Sequence, residues 1–401
     1  MIEAFVYDGL RTAFGRHGGV LSPLRPDDLL ADVIRALLTR NAFAAEDYED
    51  VIAGNTNQAG EDSRNLARHA ALLSGLPVSV AGITVNRLCG SGLAAVADAA
   101  RVVRCGEGSL LVAGGVESMS RAPLVLSRAT TAFDRSHTLE DSTLGARFPN
   151  PRITARYGND SMPQTADNVG RELGITREQS DAFAARSQQS YERARASGFF
   201  AEEILSVEVP QGRRQPPAPV ARDEHPRPDT DEAALSKLRP LQEGGVVTAG
   251  NASGINDGAA ALLIGSRSVG ERYGAAPRGR IVASAVAGVE PRVMGLGPVP
   301  AARKALAHAG LTLGDMDVLE LNEAFATQVL GCLKQLDIAF DDPRVNPNGG
   351  AIAVGHPLGA SGARLLLTAL RQLEHSGGRY ALVSMCIGVG QGIAMVVERC
   401  G

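Results

Sequence analysis

Three residues set in glycine-rich turns, and a fourth where a strand meets a helix, carry groups that can make bonds or move protons. They are Cys89 in VNRLCGSG (85–92), His356 in NPNGGAIAVGHPLGASG (346–362), Cys386 in SMCIGVGQG (384–392) and Asn322 in LNEAF (321–325). A cysteine attacks as its thiolate, and the unpaired N–H groups at a helix N-terminus favour that charge. Cys89 stands at such a helix start, and Gly90, Ser91 and Gly92 after it let backbone or ligand come close. The pattern predicts a lowered thiol pKa and nucleophilic catalysis; the alternative is an inert buried cysteine. A histidine in so small a turn can take and return a proton, although an isolated histidine is more often structural. For Cys386 the alternative is a small core residue, and for Asn322 it is a helix cap. Their common placement links them: all four fall at strand ends on the carboxyl side of two α/β segments, where open sheets carry their active sites.

Those segments echo each other. CGSGLAAVADAARVVRCGEGSLLVAGG, from Cys89, and GASGARLLLTALRQLEHSGGRYALVSM, from Gly359, each run from small residues into an apolar-periodic helix, a glycine break and a strand-like stretch. Strands are expected near 2–7, 50–54 and 109–114, with helices near 27–40, 63–74 and 91–104. In the second segment strands are expected near 280–287, 317–321, 380–385 and 392–398. Apolar strands separated by helices imply a sheet covered on both faces. Residues 121–249 differ, with prolines such as the QPPAP turn at 215–219, helical stretches and no regular strands. They read as an insertion long enough to cover a ligand site. TAGNASGINDGAAALLIG, 248–265, returns to the first half. The division is therefore 1–120 with 250–274, an inserted 121–249, and 275–401.

Composition excludes other classes. With 401 residues, 44% hydrophobic and 21% charged, the chain is long enough for sizeable cores. A net charge of −4 leaves no electrostatic footprint for nucleic acid or an anionic membrane. Cys89, Cys105, Cys332, Cys386 and Cys400 have neither metal-ligand nor secreted-disulfide spacing, so no metal site and a reducing, cytoplasmic location are expected.

Together VNRLCGSG, NEAFA, NPNGGAIAVGHPLGASG and CIGVGQG resemble, in order and nearly end to end, the motifs of the thiolase family, which transfers acyl groups through coenzyme A thioesters. The resemblance implies an α/β fold of two similar αβαβα-layered halves with a loop domain inserted in the first, assembled as a homodimer or homotetramer. It implies no tightly bound cofactor, with coenzyme A and acyl-CoA thioesters as substrates. It makes Cys89 the acylated nucleophile, Cys386 the second acid/base, and His356, with a water held by Asn322, the activator of Cys89 and a donor to the thioester oxygen. The N–H groups of Cys89 and Gly388 become a second oxyanion site, worth roughly 3–4 kcal/mol per donor. Ser253 is assigned to the pantetheine, Arg227 to the adenosine moiety and Met162 to the acyl or pantetheine tunnel.

Short-chain biosynthetic members typically carry His-Met where this chain has Ser161-Met162. YGNDSMPQTADNV (157–169) and DEHPRPDT (223–230) are most similar to members that cleave 3-oxoadipyl-CoA. Such an acyl chain ends in a carboxylate, which requires a cation or several donors when buried; Arg147, Arg152 and Arg156 are candidates. The alternatives are an acetyl-CoA acetyltransferase or general 3-ketoacyl-CoA thiolase, a ketoacyl-synthase-type condensing enzyme, a non-catalytic CoA- or lipid-binding relative, and a cysteine hydrolase. Cys386 and Asn322 favour a thiolase over the condensing enzymes, whose sites lack a second cysteine.

Overall fold

The computed structural model describes residues 2–58, 60–143, 145–212 and 215–401. Two sets of strands repeat one pairing scheme. The first comprises β1 (Ala4–Thr12), β2 (Asp50–Gly54), β3 (Ala81–Val85), β4 (Leu110–Ser118) and β5 (Asn256–Ser266). In it β1 runs antiparallel to β5 and β5 antiparallel to β4, while β2 lies parallel to both β4 and β3. The second comprises β6 (Gly279–Gly288), β7 (Val318–Leu321), β8 (Tyr380–Ile387) and β9 (Gln391–Arg399). Here β6 is antiparallel to β9, β9 antiparallel to β8, and β8 parallel to β7, and a single parallel bridge from Leu319 to Val345 stands where β3 stood. The sets meet where Phe5 and Val6 of β1 pair with Arg280 and Gly279, giving one sheet in the order β7-β8-β9-β6-β1-β5-β4-β2-β3.

Helices cover both sets on both faces. Helices α1 (Pro26–Arg40) and α2 (Leu66–Ser74) lie outside the first set, with Leu30, Ile34, Leu66 and Ala70 in one apolar cluster with Val51, Val112 and Leu263. Between the sets lie α3 (Ser91–Cys105) and, far along the chain, its counterpart Leu358–Ser376; both share a cluster with strands of each half. This layering explains why every residue of β4 and β5 is buried and why, apart from the polar Glu117 at the end of β4 and Asn256 and Asp257 at the start of β5, they read as apolar and small residues.

The insertion after β4 contributes α4 (Met162–Leu173), α5 (Arg177–Ala196) and two small hairpins, Leu124–Leu126 with Leu139–Asp141 and Val207–Val209 with Ala218–Val220. It is anchored on β1: the fully buried Arg11 donates to Glu203 at 2.5 Å and bidentately to Asp223 at 2.7 and 2.9 Å. Helix α6 (Pro298–Ala309) and α7 (Ala326–Gln335) then close the outer face of the second set, and the central counterpart of α3 is α8 (Leu358–Ser376). No helix among the described residues is long and apolar enough to cross a membrane.

Two features departed from the sequence reading. Strand β3 was not expected; it is an edge strand, largely open to solvent, and carries no full burial pattern. Strand β1 extends to Thr12 because Asp8 and Arg11, whose charges would be costly to bury alone, are paired inside with Arg40 and with Glu203 and Asp223.

The central helices approach each other through glycines. A Cβ on Gly92 would lie 2.5 Å from the Gly359 carbonyl oxygen, and one on Gly362 would lie 2.3 Å from the Leu93 nitrogen. Only glycines let the starts of α3 and α8, and hence the turns bearing Cys89 and His356, come this close. Gly362→Ala is expected to cost about 1–3 kcal/mol through overpacking against backbone, and to lower turnover in the molecules that remain folded. Denaturant unfolding beside an activity assay checks this, and full stability with full activity would contradict it.

Candidate active site

Cys89 follows β3 through a turn in which Leu88 holds a left-handed φ of 48°, and it immediately precedes Gly90, the N-cap of α3. Ser91 fixes this turn: its Oγ accepts the Arg87 N–H at 2.8 Å and donates to the Leu88 carbonyl at 2.6 Å. The backbone N–H groups of Gly388 and of Cys89 itself converge on the sulfur and favour its charge. Burial outweighs them, pushing the thiol up to about 11. The lowered pKa expected from the helix start is therefore corrected. Desolvation, which the local sequence does not show, keeps Cys89 a neutral thiol at pH 7, so a nucleophilic role for it would require a base to take its proton.

His356 stands between Gly355, whose φ of 106° favours glycine, and Pro357, which caps α8. Its N–H donates to Asn256 Oδ1 at 2.9 Å, and a Cβ at residue 355 would strike that same side chain. Ser361 Oγ donates to the Pro357 carbonyl at 2.9 Å, so its lone pairs face His356 Nδ1, 2.6 Å away. The hydrogen therefore lies on Nδ1, leaving Nε2 as the basic nitrogen, 3.3 Å from Asn322 Nδ2. Burial and the Arg364 charge press the imidazole down to about 3, so it rests neutral.

Asn322 is not a helix cap: α7 begins at Ala326, and Asn322 is fixed by its N–H to the Ser384 carbonyl at 2.9 Å, two residues before Cys386. Its Oδ1 is buried with no partner among the described residues. Cys386, at the end of β8 opposite Gly392, is raised well above the usual thiol range by burial, with the Cys89 sulfur adding repulsion; the two thiols thus lie in one electrostatic neighbourhood. Around Cys386 cluster Ala166, Val247, Ala252, Met294 and Phe325. Past it Val389, β-branched and exposed, holds a φ of 64°, turning the chain so that Gly388 faces Cys89. Cys89, His356, Asn322, Cys386 and Gly388 are thus brought together.

The remaining expected contacts are more dispersed. Ser253 is tied by its N–H to the Ala324 carbonyl at 2.9 Å, beside the site. Met162 opens α4 and is partly exposed, while Ser161 caps that helix in a reciprocal box with Gln164, a local reason for serine at this position. The Arg227 N–H donates to Gln188 Oε1 at 2.9 Å and the residue is otherwise exposed. Arg147 is half-buried and 3.4 Å from Asn57, whereas Arg152 and Arg156 are exposed, Arg156 against Tyr157.

Sequence reasoning missed the groups that hold these turns. Glu117, at the end of β4, accepts N–H groups from Thr56 (3.0 Å), Asn57 (3.2 Å) and Gly359 (3.0 Å), tying the first half to the start of α8; burial raises its carboxyl to about 7. Glu323 accepts from Ser187 (2.6 Å), Asn346 (2.8 Å) and Ile352 (3.1 Å), locking the loop before His356. Of these groups, Glu323 stood in the NEAF motif and Asn346, Ile352 and Gly359 in the segment around His356, both already singled out, whereas Glu117 stood in neither.

Comparison with known proteins bears on this arrangement. Residues 4–268 match the thiolase N-terminal domain and residues 275–399 the thiolase C-terminal domain. The chain belongs to the thiolase family. This thiolase is 58% identical over 401 residues, all of both chains, to a beta-ketoadipyl-CoA thiolase of Escherichia coli. It is 57% identical, again over both full lengths, to the 3-oxoadipyl-CoA/3-oxo-5,6-dehydrosuberyl-CoA thiolase of Escherichia coli strain K12. Human mitochondrial 3-ketoacyl-CoA thiolase superposes with a TM-score of 0.93 at 38% identity, covering 100% of this chain and 99% of the other. The duplicated, layered α/β fold expected from the motifs is the thiolase fold, and the protein is an acyltransferase.

Proposed function

We propose that this thiolase cleaves 3-oxoadipyl-CoA with coenzyme A to succinyl-CoA and acetyl-CoA. The carrying observation is its full-length identity of 58% to a beta-ketoadipyl-CoA thiolase. In this reading Cys89 Sγ bonds to the keto carbon as its proton passes to His356 Nε2. The bond between the keto carbon and the adjacent carbon then breaks, and the acetyl-CoA enolate takes a proton from Cys386. Coenzyme A next attacks the acyl-cysteine, its thiol proton restoring Cys386 while the proton on His356 returns to the departing Cys89 sulfur, and the shortened acyl-CoA is released. The Nδ1–H tautomer supports His356 as base, and the two N–H groups converging on Cys89 support an oxyanion site made by Cys89 and Gly388. The unpartnered Asn322 Oδ1 supports a water held there.

Coenzyme A is a substrate in this reading, contacting Ser253, Met162 and Arg227. Of the three arginines before α4, Arg147 is favoured for the substrate carboxylate, because only it touches the floor of the site, through Asn57 and Glu117. The units are taken as 1–120 with 250–274, 121–249 and 275–401. A homodimer or homotetramer is supported by the open edge of β3 with exposed Ile83 and Val78, and by the exposed Leu124, Leu126 and Leu139 of the first small hairpin. A cytoplasmic location is supported by five free cysteines. The test is coenzyme A-dependent cleavage of 3-oxoadipyl-CoA beside acetoacetyl-CoA and a longer uncharged 3-ketoacyl-CoA. The highest kcat/KM is expected on 3-oxoadipyl-CoA; equal or better values on the uncharged substrates would overturn the assignment.

A further inference from the structure

Beneath His356 lies a buried charged pair that the chemistry above does not use. Glu320 and Asn322 stand two residues apart at the end of β7 and share one side of the strand. Ser361 and Arg364 stand three apart on α8 and share a helix face. They form two rungs. In the upper one Asn322 and Ser361 hold the two nitrogens of His356, at 3.3 and 2.6 Å. In the lower one Arg364 Nη1 faces Glu320 Oε2 at 3.6 Å, too far for a hydrogen bond.

Both lower side chains are at least 98% buried. Glu320 Oε1 and Oε2, and Arg364 Nε and Nη2, have no hydrogen-bond partner among the described residues. Buried charges are ordinarily closed by hydrogen bonds, as Arg11 is by Glu203 and Asp223 nearby. The guanidinium therefore keeps much of its field. The charged groups around it are Glu320 and Glu323 from the β7 segment, Glu203 from the insertion and Arg11 from β1. The charge acting on the imidazole is Arg364, while Glu117 acts on Cys89.

We propose that Arg364 is a positioning residue for the proton transfer at His356: its poorly neutralised charge, one helical turn below Ser361, keeps the imidazole neutral between turnovers. Nε2 is then always free to accept the Cys89 proton and is driven to return it when the thiolate leaves. Burial raises Glu320 to about 8, so at neutral pH it holds a proton and leaves Arg364 uncompensated. The inference rests on the reading of His356 as the base.

The test is an NMR titration of the His356 imidazole in the full-length protein, assigned by its loss in His356→Asn, beside the pH profile of kcat. Arg364→Met is expected to raise the imidazole pKa by about one unit or more, the shift one nearby charge produces, and to bring an acid limb into the kcat profile. Arg364→Lys, which keeps the charge, and Glu320→Gln, which copies the protonated acid, are expected to titrate like the wild type. An unmoved titration in Arg364→Met, or an equal shift in Arg364→Lys, would overturn the proposal. If Arg364→Met does not fold, Glu320→Gln/Arg364→Met removes the guanidinium charge together with the buried carboxyl and is read the same way. Full acylation of Cys89 in His356→Asn would instead sink the base reading itself, so the two failures are distinguishable.

Discussion

Replacing Cys89 with alanine is expected to lower thiolysis by about 10⁵–10⁶-fold, the scale seen when a covalent nucleophile is removed and only binding and oxyanion contacts remain. The substitution deletes one atom from a turn held by Ser91, Asn86 and the Gly90 cap, so stability should change little. Steady-state thiolysis beside a denaturant melt measures both. A loss of less than about a hundredfold would mean that coenzyme A attacks the keto carbon directly, with no acyl-enzyme. The neutral resting state of Cys89 adds a second sign: because its thiol is pushed up to about 11, iodoacetamide should alkylate the free enzyme slowly at pH 7 and faster as pH rises.

Cys386→Ser is expected to separate the two halves of the reaction. Breaking the carbon–carbon bond needs an acid at the departing carbon, and loss of a positioned acid costs about 10²–10⁴-fold. Transfer of an acetyl group from acetyl-CoA to Cys89 moves no proton at carbon and should stay near the wild-type rate. Cleavage of a 3-ketoacyl-CoA and formation of the acetyl-enzyme are therefore measured in the same variant. If both fall together, Cys386 serves the packing around Met294 and Phe325 and not the carbanion. If neither falls, another group supplies the proton.

The large elements were legible because their burial is patterned. Helix α8 and strand β5 carry apolar runs that begin and end on small residues or glycine, and burial on both faces leaves no alternation to misread. The site was legible because Cys89, His356 and Cys386 stand in glycine-rich turns, where close approach is a reason for so many small residues. What escaped depends on residues far apart in the chain. The thiol of Cys89 is raised by protein packed around it, which no property of VNRLCGSG shows. Asn322 looked like a cap until the start of α7 was fixed at Ala326. Ser361, Glu117 and Arg364 are ordinary residues in sequence; only the crossing of α3 and α8 through Gly92 and Gly362 brings them to the site.

The central claim is that one sulfur carries the acyl group while the other serves carbon. It is tested most directly by mixing the enzyme with acetyl-CoA, quenching in acid and mapping the peptides. The expected result is a hydroxylamine-labile acetyl group on the peptide containing Cys89, and none on those containing Cys386 or Cys332. Acetyl on Cys386, or an unmodified Cys89 in an enzyme that turns over, would contradict it.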